Sequence, residues 1–255
     1  MTHWTEQLFI ENAETFGEIL ERRFEQASEE VEQLLRLVED QRGVRPERTL
    51  DVACGVGRHV LALAEEGCNA EGLDFSPEFI REAQERASDE ELTGQAEFHV
   101  HDMRELEEFE GPFDLVTIIW NSLGYYDKQT DVEMLSEIQR LLSEDGVLAI
   151  ETSNKEFYVR DFEASNVQEV GDKLHAERKH FDVETGRFET TVNVFESEGS
   201  EYDYLDTIEF QPRLYAPVEL REMCERAGFE DISLFGGFAG RDVSLDSPRV
   251  VVLAE

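Results

Sequence analysis

The chain has 255 residues, 40% hydrophobic and 10% aromatic, which is enough for one large core or a core with a small subdomain and excludes global disorder. With 60 acidic and 23 basic residues its formal charge is −37, a surface that repels phosphate backbones and anionic lipid and so excludes nucleic acid and membrane as standing partners. The acids are scattered along the chain and not gathered into a tail, the pattern of a solvated shell suited to a salt-rich, halophilic interior where ions screen self-repulsion.

The first stretch, residues 1–16, has neither the basic start nor the apolar core of a signal peptide. No later run approaches the roughly 18 apolar residues of a membrane span, so a soluble, cytoplasmic protein is expected. Residues 6–38 read as one helix, with Leu20, Phe24, Ala27, Val31, Leu34, Leu35 and Val38 at three- and four-residue steps. Residues 43–46, Gly to Pro, break it. Short apolar runs at 49–53, 69–74, 96–101, 113–120 and 146–152 then alternate with helical stretches at 58–66, 77–87 and 131–142. Strands separated by helices of this size predict βαβ units and a parallel sheet.

The pattern changes after Asn154. Residues 173–183 and 187–197 alternate polar and apolar side chains around a turn at Glu184-Thr185-Gly186, and a third extended stretch, 202–215, follows a turn at 198–201. An antiparallel insert of two or three strands is expected. Residues 217–227 return to helix, and 231–235 and 249–254 read as closing strands. The division this predicts is a helix and α/β core over 1–153, an insert over 154–216, and an element pair over 217–255 that completes the core. The three cysteines (Cys54, Cys68 and Cys224) lack metal-ligand spacing, so no metal is expected; their odd number cannot form a full disulfide set, which indicates a reducing environment.

The chemistry concentrates at the ends of the first strands. Residues 49–53 run straight into Cys54-Gly55-Val56-Gly57 and a helix opening at Arg58. Glycines suit a tight turn that a ligand approaches closely, and free N–H groups at the helix start favour an anionic ligand group such as a carboxylate. Asp51 is placed to accept from a cationic amine. The second strand ends at Asp74, followed by Phe75 and Ser76, and an acid there accepts from both hydroxyls of a ribose. The third ends at His101-Asp102-Met103, an acid and an apolar side chain suited to the amino group and face of an adenine. Each feature alone is common, but together, on successive strand ends, they are far more specific.

Leu-Asp-Val-Ala-Cys-Gly-Val-Gly-Arg-His at 50–59, Gly-Leu-Asp-Phe-Ser at 72–76 and His-Asp-Met at 101–103 resemble the class I S-adenosylmethionine (SAM)-dependent methyltransferases. Asn121-Ser122-Leu123-Gly124-Tyr125-Tyr126, Arg213-Leu214-Tyr215 with Glu219-Leu220, Ala227-Gly228-Phe229 and residues 247–252 extend the resemblance to a small-molecule subgroup over nearly the whole chain. A dinucleotide fingerprint would place a third glycine where this chain has Val60, which weakens a nicotinamide-dependent oxidoreductase reading; a SAM-binding regulator without catalysis is the other alternative.

The resemblance implies a Rossmann-like seven-stranded sheet, mostly parallel with the last strand antiparallel, with helices on both faces. It implies that Asp51, Ala53, Cys54, Gly55 and Gly57 line the methionine portion of SAM, that Asp74, Phe75 and Ser76 hold ribose and adenine, and that Asp102 and Met103 frame the adenine. Trp120 and Asn121 would lie nearest the sulfonium. His59 would brace the glycine loop or approach the cofactor carboxylate, or else hydrogen-bond locally as an ordinary helix-face histidine. Tyr125 and Tyr126 are candidate bases or aromatic packing; His175 is a further candidate, and His180 reads as solvent-facing. Ser122, Tyr125, Tyr126, Arg213 and Tyr215 are candidate acceptor contacts, Arg213 reading equally as an ion-pair partner. Trp4, Phe9 and Phe16 either cover the cofactor or pack in the core. Gly236, Gly237 and Gly240 form a tight turn or a pocket loop, with Arg249 as its anchor. Methyl transfer is a direct displacement that rests mainly on alignment, and the insert suits a lid over a small metabolite.

Overall fold

The computed structural model describes residues 3–43, 45–171, 173–198 and 201–255. Its strands are β1 (Arg48–Val52), β2 (Asn69–Asp74), β3 (Ala96–Val100), β4 (Phe113–Ile118), β5 (Leu142–Ser153), β6 (Ser165–Val170), β7 (Lys173–Asp182), β8 (Arg187–Glu198), β9 (Glu201–Phe210), β10 (Ile232–Phe235) and β11 (Arg249–Ala254). Its helices are α1 (Trp4–Glu6), α2 (Ala13–Glu21), α3 (Phe24–Arg42), α4 (Arg58–Glu65), α5 (Pro77–Asp89), α6 (Lys128–Leu141), α7 (Lys155–Arg160) and α8 (Pro217–Ala227).

Seven strands form the central sheet in the order β10-β11-β5-β4-β1-β2-β3. The β1–β2, β2–β3, β1–β4 and β4–β5 pairs are parallel, and β11 runs antiparallel to both β5 and β10. The chain steps outward from β1 to β3 and then returns to lay β4 on the other side of β1. That reversal opens a crevice at the carboxyl ends of β1 and β4, where ligands of open α/β sheets bind.

Both faces of the sheet are covered. Leu50, Val52, Val116 and Ile118 pack with Leu135 and Ile138 of α6 and Leu220 of α8. On the opposite face Ala70, Leu115 and Val251 pack with Val31, Leu34 and Leu35 of α3 and Val60 and Leu63 of α4. Burial on two faces is why the strands read as nearly continuous apolar runs. Among the described residues no helix is long and apolar enough to cross a membrane.

The structure differs from the sequence reading in four places. The N-terminal helix is not continuous: a wide turn, Gln7–Glu11, separates α1 from α2, and a break at Arg22 and Arg23 separates α2 from α3. Asn12 closes the wide turn by donating its side-chain amide to the Gln7 carbonyl at 2.9 Å. Strand β4 stops at Ile118, because Trp120 and Asn121 adopt left-handed backbone (φ +60° and +68°) that no strand continues. The insert has four antiparallel strands in the order β6-β7-β8-β9, one more than expected, since β6 carries exposed polar residues and no alternation to betray it. The third extended stretch ends at Phe210, after which Arg213 rejoins the core by donating its N–H to the Gly124 carbonyl at 2.8 Å. The expected turn at 184–186 forms, with Asp182 accepting from the Glu184 N–H at 2.9 Å; that at 198–201 lies partly outside the described residues.

Candidate cofactor and acceptor site

The glycine loop is built by three left-handed residues on alternate positions: Ala53 (φ +60°), Gly55 (φ +57°) and Gly57 (φ +81°). Gly55 donates its N–H to Asp74 Oδ2 at 2.9 Å, tying the loop to the neighbouring strand end. Gly57 does other work than lining a ligand. It caps α4, and a Cβ there would lie 2.6 Å from the Phe98 ring, so it is a point of close packing between helix and sheet. Asp51, Ala53, Cys54, Gly55 and His59 line one cavity together with Asp74, Phe75, Asp102, Met103, Trp120, Ser122, Tyr125 and Tyr126.

The acids in this cavity have distinct electrostatics. Asp51 is 2% exposed, accepts from Thr117 Oγ1 at 2.6 Å, and is pushed up by burial despite His59 and Thr117. Its Oδ2 faces His59 Nδ1 at 4.0 Å, too long for a hydrogen bond. Burial drives Asp74 up to about 6, against the N–H groups of Ser76 and Gly55, each at 2.9 Å. Asp102 is half-buried and held low overall, since bonds from Arg104 (backbone N–H and Nε at 2.9 Å, Nη2 at 2.5 Å) outweigh burial. Arg104 also lies 4.4 Å over the Tyr126 ring. Ser76 is buried as the cap of α5 and does not line the cavity.

The donor set fits SAM. A buried carboxylate with one oxygen short of a partner (Asp51) suits the ammonium, and Asp74 beside Phe75 and Met103 suits a ribose and a flat base. Arg58, 4% exposed, also lines the cavity, and its Nη2 is buried with no hydrogen-bond partner among the described residues. The positive charge of Arg58 beside the cavity suits the carboxylate of the cofactor.

A second cavity of about 420 Å³ adjoins the first, sharing Phe9, Phe16, Trp120 and Tyr125 as its wall. Its floor is the Trp120–Asn121 turn, and its roof comes from the insert through Gln168, His175, Glu177, Val192, Ile208 and Phe210. Trp4 lines it too, so the N-terminal aromatics cover both cavities while forming a small core of their own with Phe79 and Val192. Burial pushes the Tyr125 hydroxyl up, which removes it as a ready base; Tyr126 shifts the same way. His180 is exposed.

Asn121 lines the second cavity and not the first, and its Oδ1 accepts from the Ser153 N–H at 2.7 Å and from Arg249 Nη1 at 3.1 Å. Arg249 also pairs with Glu151, whose Oε2 accepts the Trp120 N–H at 3.0 Å. Arg249 therefore anchors the strained Trp120–Asn121 turn, and not the glycine turn it was expected to hold. That turn closes on itself through Gly236 N–H to the Arg241 carbonyl at 2.7 Å and lines neither cavity. Tyr215 is 1% exposed and donates its hydroxyl to Asp131 at 2.5 Å, deep in the core. Arg213 pairs with Glu219 at 3.1 Å and lies over the Tyr215 ring, so neither residue faces the acceptor cavity. The sequence reading missed Glu30, Arg58 and Glu151; their partners lie 28, 28 and 98 residues away, beyond any local spacing signal.

A reversed parallel sheet with acids at or beside successive strand ends and a glycine loop is the arrangement in which open α/β sheets bind nucleotides. Residues 49–146 match the methyltransferase-domain family. The Bacillus subtilis protein YqeM, whose name describes a methyltransferase, is 29% identical over 213 residues, 82% of this chain and 83% of that one. The glycine/sarcosine N-methyltransferase of Aphanothece halophytica is 26% identical over 75% of this chain and 69% of its own length. The crystal structure of an S-adenosylmethionine-dependent methyltransferase from Clostridium acetobutylicum shares the fold at TM-score 0.76 and 16% identity, covering 88% of this chain and 91% of that one. Residues 49–146 thus match a methyltransferase domain, and the chain shares its fold with an S-adenosylmethionine-dependent methyltransferase.

Proposed function

We propose that this chain transfers a methyl group from SAM to an O, N or C atom of a small-molecule acceptor bound in the second cavity. The observation that carries the reading is the shared wall: Trp120 and Tyr125 border both cavities, so an acceptor beneath the insert adjoins the cofactor site. When bound, SAM supplies an electrophilic methyl on a sulfonium. The protein's part is alignment, which can account for about 7–11 kcal/mol of a barrier. Glu151 and Arg249 hold the Trp120–Asn121 turn in its left-handed form and so fix the floor of the acceptor cavity. Phe9 and Phe16 give the junction an apolar wall.

Among the described residues, no lysine or arginine lines the second cavity, so the acceptor is neutral or cationic with a largely apolar or aromatic body. His175 is the residue there best suited to take a proton from an acceptor. The Aphanothece relative is named for N-methylation of glycine and sarcosine; a cavity without a cationic side chain favours acceptors lacking a carboxylate. The test is methyl transfer from radiolabelled SAM to a fractionated metabolite extract at low and high KCl. Label is expected in a small, non-anionic product, and transfer to none of the fractions by folded protein would refute the reading.

A further inference from the structure

Among its described lining residues the second cavity holds a single carboxylate, that of Glu177. Glu177 lies on β7 opposite Val192 of β8, which is itself paired with Ile208 of β9, so the acid stands on an apolar face of the insert. Its side chain is 14% exposed. Oε1 accepts from Gln168 Nε2 at 3.1 Å, and Oε2 pairs with Lys179 at 2.6 Å. Lys179 does not line the cavity, so it reaches the carboxylate from outside the lining. A carboxylate offers about four lone-pair sites, and these two bonds leave room for a donor from within the cavity. The walls around it are aromatic, with Trp4, Phe9, Phe16, Trp120, Tyr125 and Phe210. Ring faces attract a cation, and more strongly where water is displaced. A cleft that shares Trp4 and Phe210 with the cavity carries Glu189 and Glu209 and, among the described residues, no lysine or arginine, so the approach favours the same charge.

We propose that the methyl acceptor is an amine bound as its cation, and that Glu177 is the specificity-determining residue that selects it. This rests on the reading that methyl transfer takes place in the second cavity. The ammonium gives one proton to His175, and the pair so freed on nitrogen forms the N–C bond to the methyl carbon as the C–S bond breaks toward sulfur. Nitrogen thereby regains the positive charge that the sulfonium loses, the sulfur becomes a neutral thioether, and the proton on His175 passes to solvent. Glu177 and the ring faces stabilise charge on the acceptor as it binds and again as it returns to nitrogen. A neutral alcohol offers them no charge to hold, and a carboxylate meets one of its own sign.

A metabolite extract divided by ion exchange into cationic, neutral and anionic pools, each supplied at limiting concentration with radiolabelled SAM, puts this to the test. Label is expected only in products of the cationic pool. Glu177→Gln is expected to slow that transfer by about tenfold or more, while affinity for S-adenosylhomocysteine stays within about twofold of the wild type and reports an intact fold. Lys179→Gln removes the competing cation, and its rate is expected to match the wild type or exceed it by up to about fivefold. An ion pair that merely braced the insert would instead give the same loss from either side. Equal losses in the two variants, or an unchanged rate in Glu177→Gln, would overturn the proposal. Transfer to the neutral or anionic pool would overturn it too, but would leave methyl transfer standing. Transfer to no pool, by protein that binds S-adenosylhomocysteine, would remove the methyltransferase reading and the proposal with it.

Discussion

Asp74 links the chemistry of the site to pH. In the folded protein it keeps its proton up to about pH 6, against an ordinary value of 3.8. Between those values the folded chain holds a proton the unfolded chain has lost, so the neutral form's contribution to stability is present in acid and disappears as pH rises through 6. Ribose hydroxyls donating to the carboxylate favour the opposite, ionised form. Affinity for S-adenosylhomocysteine is therefore expected to be flat above neutrality and to fall by up to about tenfold per pH unit below 6. Burial shifts Asp51 in the same direction and steepens the fall. Asp74→Asn should lower affinity at pH 8 and flatten the acid limb in titration calorimetry. A second residue-scale prediction concerns Tyr215, whose hydroxyl is the donor to Asp131 in the core. Tyr215→Phe should lower unfolding free energy by about 1–3 kcal/mol in denaturant titration, with S-adenosylhomocysteine affinity unchanged. A residue that served only to contact the acceptor would leave stability intact.

At the scale of elements, the turn after β4 joins the two cavities and depends on a remote pair. Trp120 and Asn121 occupy left-handed backbone that non-glycine residues adopt only when their surroundings impose it. Glu151 on β5 and Arg249 on β11 impose it, and Arg249→Ala leaves the Glu151 carboxylate buried beside no cation. That change should destabilise the fold by about 3–5 kcal/mol in chemical denaturation and alter the Trp120 fluorescence in the native state. Elements of this kind mark the limit of what the sequence discloses. β1, β2, β4 and α4 were legible because two-faced burial and the glycine loop leave local signatures. The acids Asp51, Asp74 and Asp102 were legible because they stand at or beside the ends of successive apolar runs. Glu30 and Glu151 were not, because their partners meet them only through tertiary packing. The break at Arg22 and Arg23 was hidden by a three-four periodicity that runs across it, and Tyr215 was misread because a motif's spacing does not say which way its side chain faces.

The whole molecule is dominated by its charge of −37. We propose that this shell is an adaptation to salt, and its physical consequence is measurable. Repulsion between surface carboxylates acts over about 10 Å at 0.1 M salt and about 3 Å at 1 M. The thermal midpoint should rise with KCl, by about 2–4 °C for each kcal/mol of repulsion screened, in calorimetric scans from 0.1 to 2 M. A midpoint that falls or stays constant would exclude the adaptation. The same field repels anionic acceptors and agrees with an acceptor cavity without lysine or arginine among the described residues. The glycine loop, the Trp120–Asn121 turn and the insert meet at one junction, so the central claim is about which atoms face each other there. A crystal structure with S-adenosylhomocysteine tests it most directly. Its ribose hydroxyls are expected on Asp74 and its sulfur toward Trp120 and Tyr125, opening on the cavity beneath β7, β8 and β9; an adenosyl group bound elsewhere, or a sulfur turned away from that cavity, would contradict the account.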